Sequence, residues 1–205
     1  MKVVAVSQRV DVFPDRNETR DALDQRLITF LLFAGYLPVP VPNGLHKEMP
    51  DGRQDHDALV TWLTVLNPLA IVLSGGNDIG QCQTRDLTEG WLLDYAKTRQ
   101  RPVLGICRGM QMMAHWSGVN LKPVKSHVGT QHHISGEITG VVNSYHAYSI
   151  GRCPDGFAVM ARSEDGEIEA IRHLSRSWAG WMWHPERDEN FSDRDVQRVK
   201  ALFGG

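Results

Sequence analysis

Pro102-Val103-Leu104-Gly105-Ile106-Cys107-Arg108-Gly109-Met110-Gln111 is a short apolar run feeding a helical pattern that continues through Trp116 and ends at Gly118. A strand-length apolar run followed directly by a helix is one βα unit of a parallel sheet. Gly105-Ile106-Cys107-Arg108-Gly109 sits on the junction and has the form G-x-nucleophile-x-G. A tight strand-to-helix turn of this kind lifts the central side chain above the sheet in a strained conformation, and the flanking glycines avoid clashes. The helix N-terminus favours negative charge on the Cys107 sulfur. The backbone N–H of Arg108 then points toward a developing oxyanion. The pattern alone also fits a buried structural cysteine beside a glycine-rich turn, because G-x-C-x-G arises by chance.

The same rhythm extends outward from this unit. Upstream, the sequence predicts a strand at 3–7, then a helix over 18–34 capped by Asn17 and stopped by Gly35. A short strand at 37–41 follows, which Pro38, Pro40 and Pro42 push to a sheet edge or into an extended loop. Next come a helix over 57–66 ending before Pro68, a strand at 70–73 buried on both faces, and a helix over 87–99. Downstream, strand-like runs at 137–142, 145–150, 158–163, 168–173 and 178–183 are separated by turns, with Asp165-Gly166 as a hairpin signal. A helix over 193–203 completes the pattern. The expected fold class is α/β, a mostly parallel central sheet with flanking helices plus a smaller antiparallel β section. Residues 1–205 carry no repeat or linker and are expected to form a single domain.

The composition, 41% hydrophobic and 22% charged, is that of an ordinary globular chain. A formal charge of −2 gives no reason to expect nucleic acid or an anionic membrane as partner. No apolar run approaches the roughly 20 residues of a membrane helix. Met1-Lys2-Val3-Val4-Ala5-Val6-Ser7 is too short and unflanked for a secretory signal and reads as a buried first strand. Three cysteines make a poor disulfide framework and suit a reducing compartment, so the expected localisation is cytoplasmic.

Two further constellations bear on Cys107. Ser74-Gly75-Gly76-Asn77-Asp78 follows the 70–73 strand, where a loop without bulky side chains can present a backbone N–H to a substrate. Alone it is an ordinary turn. Trp183-His184-Pro185-Glu186 follows another strand, and Pro185 fixes the chain so that Glu186 can hold His184 in one tautomer. Alone it is more often a surface turn. Together with Val142-Asn143-Ser144-Tyr145-His146, these segments resemble the class I glutamine amidotransferase-like superfamily, in particular its γ-glutamyl hydrolase branch, peptidase family C26. The resemblance implies the flavodoxin-like fold of that superfamily and hydrolysis of a γ-glutamyl amide through a γ-glutamyl thioester, with no metal and no organic cofactor. It implies Cys107 as nucleophile, His184 as base and Glu186 as third member of a catalytic triad. It also implies the N–H groups of Gly76 and Arg108 as an oxyanion hole, and Gly75, Gln111, Ser144, Tyr145 and His146 as substrate-binding residues. Cys-Arg-Gly is typical of the stand-alone hydrolases. The compact size and the Cys-Arg-Gly-Met-Gln segment resemble a group that hydrolyses γ-glutamyl-CDP-amidate in decorating bacterial surface polysaccharides with phosphoramidate. The expected partner is a small-molecule γ-glutamyl amide, not nucleic acid or membrane, with a homodimer left open.

Other features carry less. His127, His132 and His133 fall in one expected loop, near His146; imidazoles suit zinc, but no Cys or carboxylate cluster accompanies them at ligand spacing, so no metal is expected. Cys82 and Cys153 read as ordinary thiols. Arg9, Arg85 and Arg187 are expected to be solvated, though each is a candidate for an anionic leaving group. Trp178, Trp181 and Trp183 alternate as strand residues do, with at least one face in the core. Two rival readings stand beside the hydrolase: a glutaminase subunit passing ammonia to a separate synthase, and a non-catalytic binding module of the same fold.

Overall fold

Ala70–Leu73 and Val103–Ile106 contain no polar side chain, so only a strand covered on both faces suits them, and every residue of both is buried in strands. The computed structural model describes residues 1–49, 52 and 54–204. The first half runs β1 (Lys2–Val6), β2 (Arg9–Phe13), β3 (Glu18–Ala22), α1 (Gln25–Phe33), β4 (Tyr36–Pro40), β5 (Lys47–Glu48), β6 (Gln54–Asp55) and α2 (Asp57–Leu66). It continues with β7 (Ala70–Leu73), α3 (Gln83–Arg99), β8 (Val103–Ile106) and α4 (Arg108–Trp116). The second half comprises β9 (Leu121–Pro123), β10 (Val128–Gly136), β11 (Gly140–Tyr145), β12 (Tyr148–Ile150), β13 (Phe157–Ser163), β14 (Ile168–His173), β15 (Trp178–Trp181) and α5 (Asp193–Phe203).

The main sheet has the order β11-β10-β13-β14-β15-β8-β7-β1-β4. From β15 to β4 all neighbours pair in parallel, and from β15 to β11 all pair antiparallel. The expected antiparallel section is therefore a continuation of the central sheet. Side chains alternate between its faces with period two. Val4, Val6, Val72, Leu104 and Ile106 pack with Phe30 and Leu31 of α1 and Val196, Val199 and Phe203 of α5. Ala5, Ile71, Leu73 and Val103 pack on the other face with Leu59 and Leu63 of α2, Leu92 and Leu93 of α3 and Met110 of α4. Truncating one such buried aliphatic to Ala costs about 2–5 kcal/mol. Pro38 and Pro40 lie in β4, the edge strand, where a missing N–H leaves no neighbour unpaired. Among the described residues no helix is long and apolar enough to cross a membrane.

Several boundaries differ from the sequence reading. Residues 18–22 form β3 and pair antiparallel with β2, so the helix expected from 18 starts only at Gln25. Asn17 adopts a left-handed conformation in the connection, and Asp24 is the actual N-cap, accepting from Arg26 N at 2.9 Å. The histidine stretch expected as a loop is the long strand β10, and the strand expected at 137–142 is β11, beginning at Gly140. Gly136 and Gly140 both have positive φ, so the chain reverses between them. The 145–150 run divides between β11 and β12, and the 178–183 strand ends at Trp181. The Asp165-Gly166 hairpin turn forms as expected, with Gly166 N bonded to Ser163 O at 2.9 Å.

Candidate active site

β15, β8 and β7 are neighbours running in the same direction, so their carboxyl ends open side by side with about 4.8 Å between strands. Cys107 follows the middle strand β8, the 74–78 loop follows β7, and His184 and Glu186 follow β15. Crevices outside the carboxyl ends of parallel strands are the common ligand sites of such sheets.

Cys107 has φ 50° and ψ −106°, a strained conformation for a residue with a side chain. Two bonds hold it there: Cys107 N donates to Trp181 O at 2.6 Å, and its carbonyl accepts from Gln111 N at 3.1 Å. The flanking glycines are dictated by close approach. A Cβ on Gly109 would lie 2.2 Å from Leu73 O, and one on Gly105 would lie 2.6 Å from Gly109 C. A Cβ on Gly75 would lie 2.5 Å from His184 Cε1, so the imidazole packs directly on the backbone of the 74–78 loop.

His184 Nδ1 lies 2.6 Å from Glu186 Oε1, and both residues are buried. A carboxylate accepts, so Nδ1 carries the proton and Nε2 is left for Cys107. Burial opposes a charged imidazole here, but hydrogen bonds to Cys107 and Glu186, and their negative charges, raise the His184 pKa from 6.5 to about 9. The backbone of His184 is clamped by one side chain. Asn143 Oδ1 accepts from His184 N at 2.9 Å, while Asn143 Nδ2 donates to His184 O at 2.8 Å and to Asp188 Oδ1 at 2.8 Å.

A buried ionic network lies beneath the 74–78 loop. Arg108 Nη1 donates to Glu89, Arg108 Nη2 to Asp86, and Arg108 Nε to Asn77 O at 3.0 Å. Arg85 donates to Glu89 Oε1 at 3.0 Å, Ser74 O at 2.7 Å and Gly75 O at 3.0 Å. Ser7 Oγ completes the Glu89 shell at 2.7 Å. Desolvation lowers both guanidinium pKa values, Arg85 to about 10 and Arg108 to about 9, and both remain charged at neutral pH. Arg85 is therefore not a solvated side chain as expected but a fully buried one, because the carbonyls of the loop and Glu89 replace its water. The side chain of Arg108 ties the cysteine turn to the loop carrying Gly76.

A cavity of about 310 Å³ over Cys107 is lined by Gly76, Arg108, Gln111, Tyr145, His146 and His184, among others. A neighbouring hollow of about 270 Å³ shares Arg9, Gly76, His184 and Arg187 and also contains Gly75. Ser144 is not on either wall; it is fully buried, and its hydroxyl donates to His127 O at 2.6 Å. Gln111 Nε2 donates to Tyr148 O at 2.7 Å. Arg187 stacks over the Tyr145 ring, 4.5 Å from its centroid, at the rim. Sequence reasoning gave no role to Glu89, quoted Asn77 and Asn143 only as motif members, and read Arg85 as solvated. Arg85 and Glu89 show the i, i+4 pairing of a helix, but that spacing looks the same on an exposed face. Trp178, Trp181 and Trp183 are all buried.

The fold is an α/β sheet with a strained cysteine at a central strand end, beside a buried histidine–glutamate pair. Residues 51–200 match the family described as glutamine amidotransferase class-I, and the chain belongs to that family. It is an enzyme acting on an amide C–N bond. Among curated relatives, the γ-glutamyl-CDP-amidate hydrolase of Campylobacter jejuni is 31% identical over 140 residues, covering 65% of this chain and 69% of that protein. One subunit of the glutamine-hydrolysing GMP synthase of Methanothrix thermoacetophila is 35% identical over 131 residues, covering 58% of this chain and 71% of that one. The fold agrees with that of a GMP synthase subunit from Thermoplasma acidophilum at TM-score 0.73, with 20% identity, all of this chain and 93% of that one.

Proposed function

We propose that Cys107, His184 and Glu186 hydrolyse a γ-glutamyl amide by way of a γ-glutamyl thioester. The observation that carries this reading is the buried Glu186–His184 hydrogen bond at the strand end next to the strained Cys107 turn, with Cys107 and His184 lining one cavity. His184 takes the thiol proton, and the sulfur attacks the γ-carbonyl carbon. The oxyanion meets the N–H groups of Gly76 and Arg108, and the amine leaves with the proton from His184. Water, deprotonated by the same imidazole, then attacks the thioester, freeing glutamate and the thiol.

Two specificities follow from the relatives. The first is a stand-alone hydrolase releasing an anionic amidate, of which γ-glutamyl-CDP-amidate is the leading case; Arg9 and Arg187 border both hollows and supply positive charge for a phosphate-bearing leaving group. The second is a glutaminase that hands ammonia to a synthase, favoured by the likeness to the GMP synthase of Methanothrix thermoacetophila. Glutamate release is measured from γ-glutamyl-CDP-amidate and from glutamine with no other protein present. Preference for the nucleotide amidate supports the first reading. Inactivity on both overturns the stand-alone hydrolase.

A further inference from the structure

We propose that His127, His132, His146 and Glu169 hold a divalent first-row metal ion, zinc by its donor set, in a structural site behind the substrate pocket. Glu169 comes from β14, His132 from β10, His146 from just after β11 and His127 from just before β10. The fold thus supplies the carboxylate that the histidine stretch lacks in sequence. One ligand atom from each of the four residues lies within 4.8 Å of all the others.

The decisive observation is that His127, His146 and Glu169 all turn acceptors inward, with no donor outside the cluster to satisfy them. Glu169 is fully buried, and neither of its oxygens has a hydrogen-bond partner; His132 Nε2 has none either. The outer nitrogens of the other two rings face acceptors. His127 Nε2 lies 2.8 Å from Asp165 Oδ2, and His146 Nδ1 lies 2.9 Å from Tyr148 O. Each outer nitrogen therefore carries the proton, and in a neutral ring the inner nitrogen is a bare lone pair. Those inner atoms, His127 Nδ1 and His146 Nε2, stand 3.2 Å apart, facing one another. Two lone pairs and an unpaired carboxylate at that distance repel unless a cation lies among them.

The spacing fits a tetrahedral ion. Glu169 Oε1 is 3.6 Å from His127 Nδ1, 3.6 Å from His132 Nε2 and 3.5 Å from His146 Nε2. A metal–nitrogen bond of about 2.0–2.1 Å gives a tetrahedron edge of about 3.3 Å. Imidazole and carboxylate ligands suit zinc, and four protein ligands leave no position open for a reacting water. Asp165 and the Tyr148 carbonyl then orient the ligating rings from outside. The ion would clamp β10 and the chain after β11 onto β14, fixing the wall that carries Tyr145. Tyr148 O also accepts from Gln111, which links the clamp to the pocket without touching His184.

The test uses the untagged full chain. Elemental analysis is expected to find about one zinc per chain, and removal by a chelator is expected to lower the melting temperature, with recovery on adding zinc. Cobalt(II) titrated into the metal-free chain is expected to give the intense visible bands of a tetrahedral site, saturating at about one equivalent. The bands should vanish in His132→Ala and Glu169→Gln and persist in Cys107→Ala. No bound metal together with no cobalt bands in the wild-type chain would overturn the proposal. Equal cobalt binding by Glu169→Gln and wild type would overturn it too.

Discussion

Replacing Glu186 with Gln keeps the shape of the side chain and removes its charge, so it isolates the coupling to His184. The rise of the His184 pKa from 6.5 to about 9 corresponds to about 3 kcal/mol in favour of the imidazolium. Burial, the largest single influence, opposes that charge; Cys107 and Glu186 together overcome it. With Glu186 neutral, burial regains weight, and the His184 pKa is expected to fall. A glutamine amide also donates to Nδ1, which drives the proton to Nε2 and faces a donor, not a base, toward the sulfur. Loss of kcat/KM by up to about 10⁴-fold is expected, the scale of the equivalent change in a serine-type triad. Stability follows the same linkage. A folded pKa above the unfolded one stabilises the protein fully below pH 6.5, and the benefit is lost as pH rises through about 9. The variant is expected to lose much of this slope. The assays are kcat/KM for a chromogenic γ-glutamyl anilide, and thermal melts, each from about pH 5 to about pH 10. Wild-type rates and an unchanged pH profile in Glu186→Gln would refute the coupling.

Other substitutions test the supports of the site. Gly109→Ala places a methyl 2.2 Å from Leu73 O, a backbone atom that cannot step aside, and is expected to destabilise by about 3 kcal/mol or more in a denaturant titration. Arg108→Met leaves Asp86 and part of Glu89 without their cation and is expected to cost about 3–5 kcal/mol in the same measurement. Asn143→Ala removes both bonds that clamp the His184 backbone; kcat is expected to fall about tenfold or more with KM little changed in steady-state kinetics.

The parallel half of the fold was legible because each of its strands is a short apolar run that needs cover on both faces. The sequence places strand 70–73 and helices 57–66 and 193–203 where the structure has them. The polar stretches were not legible in the same way. Glu18-Thr19-Arg20-Asp21-Ala22 has helix-compatible composition, and only pairing with β2 makes it a strand. Val128–Gly136 alternates in burial from Thr130 to Ser135, but its inward residues are Thr130, His132 and Ile134, so hydrophobicity does not mark the period. The cysteine turn was readable because steric crowding demands glycine at fixed offsets, and the His184–Glu186 pair because Pro185 keeps it local. What holds those residues in place was not. Asn143 lies 41 positions from His184, and Arg108 lies 31 from Asn77, separations over which no local pattern carries information.

The central claim is a covalent γ-glutamyl intermediate on Cys107. Acid-quenching the enzyme during turnover of a γ-glutamyl amide, followed by intact-mass and peptide-mass analysis, tests it directly. The account predicts a gain of one γ-glutamyl acyl group on the peptide containing Cys107, absent from Cys107→Ala, whose turnover is expected to fall by several orders of magnitude. Undiminished turnover by Cys107→Ala, or an adduct on another residue, would contradict it.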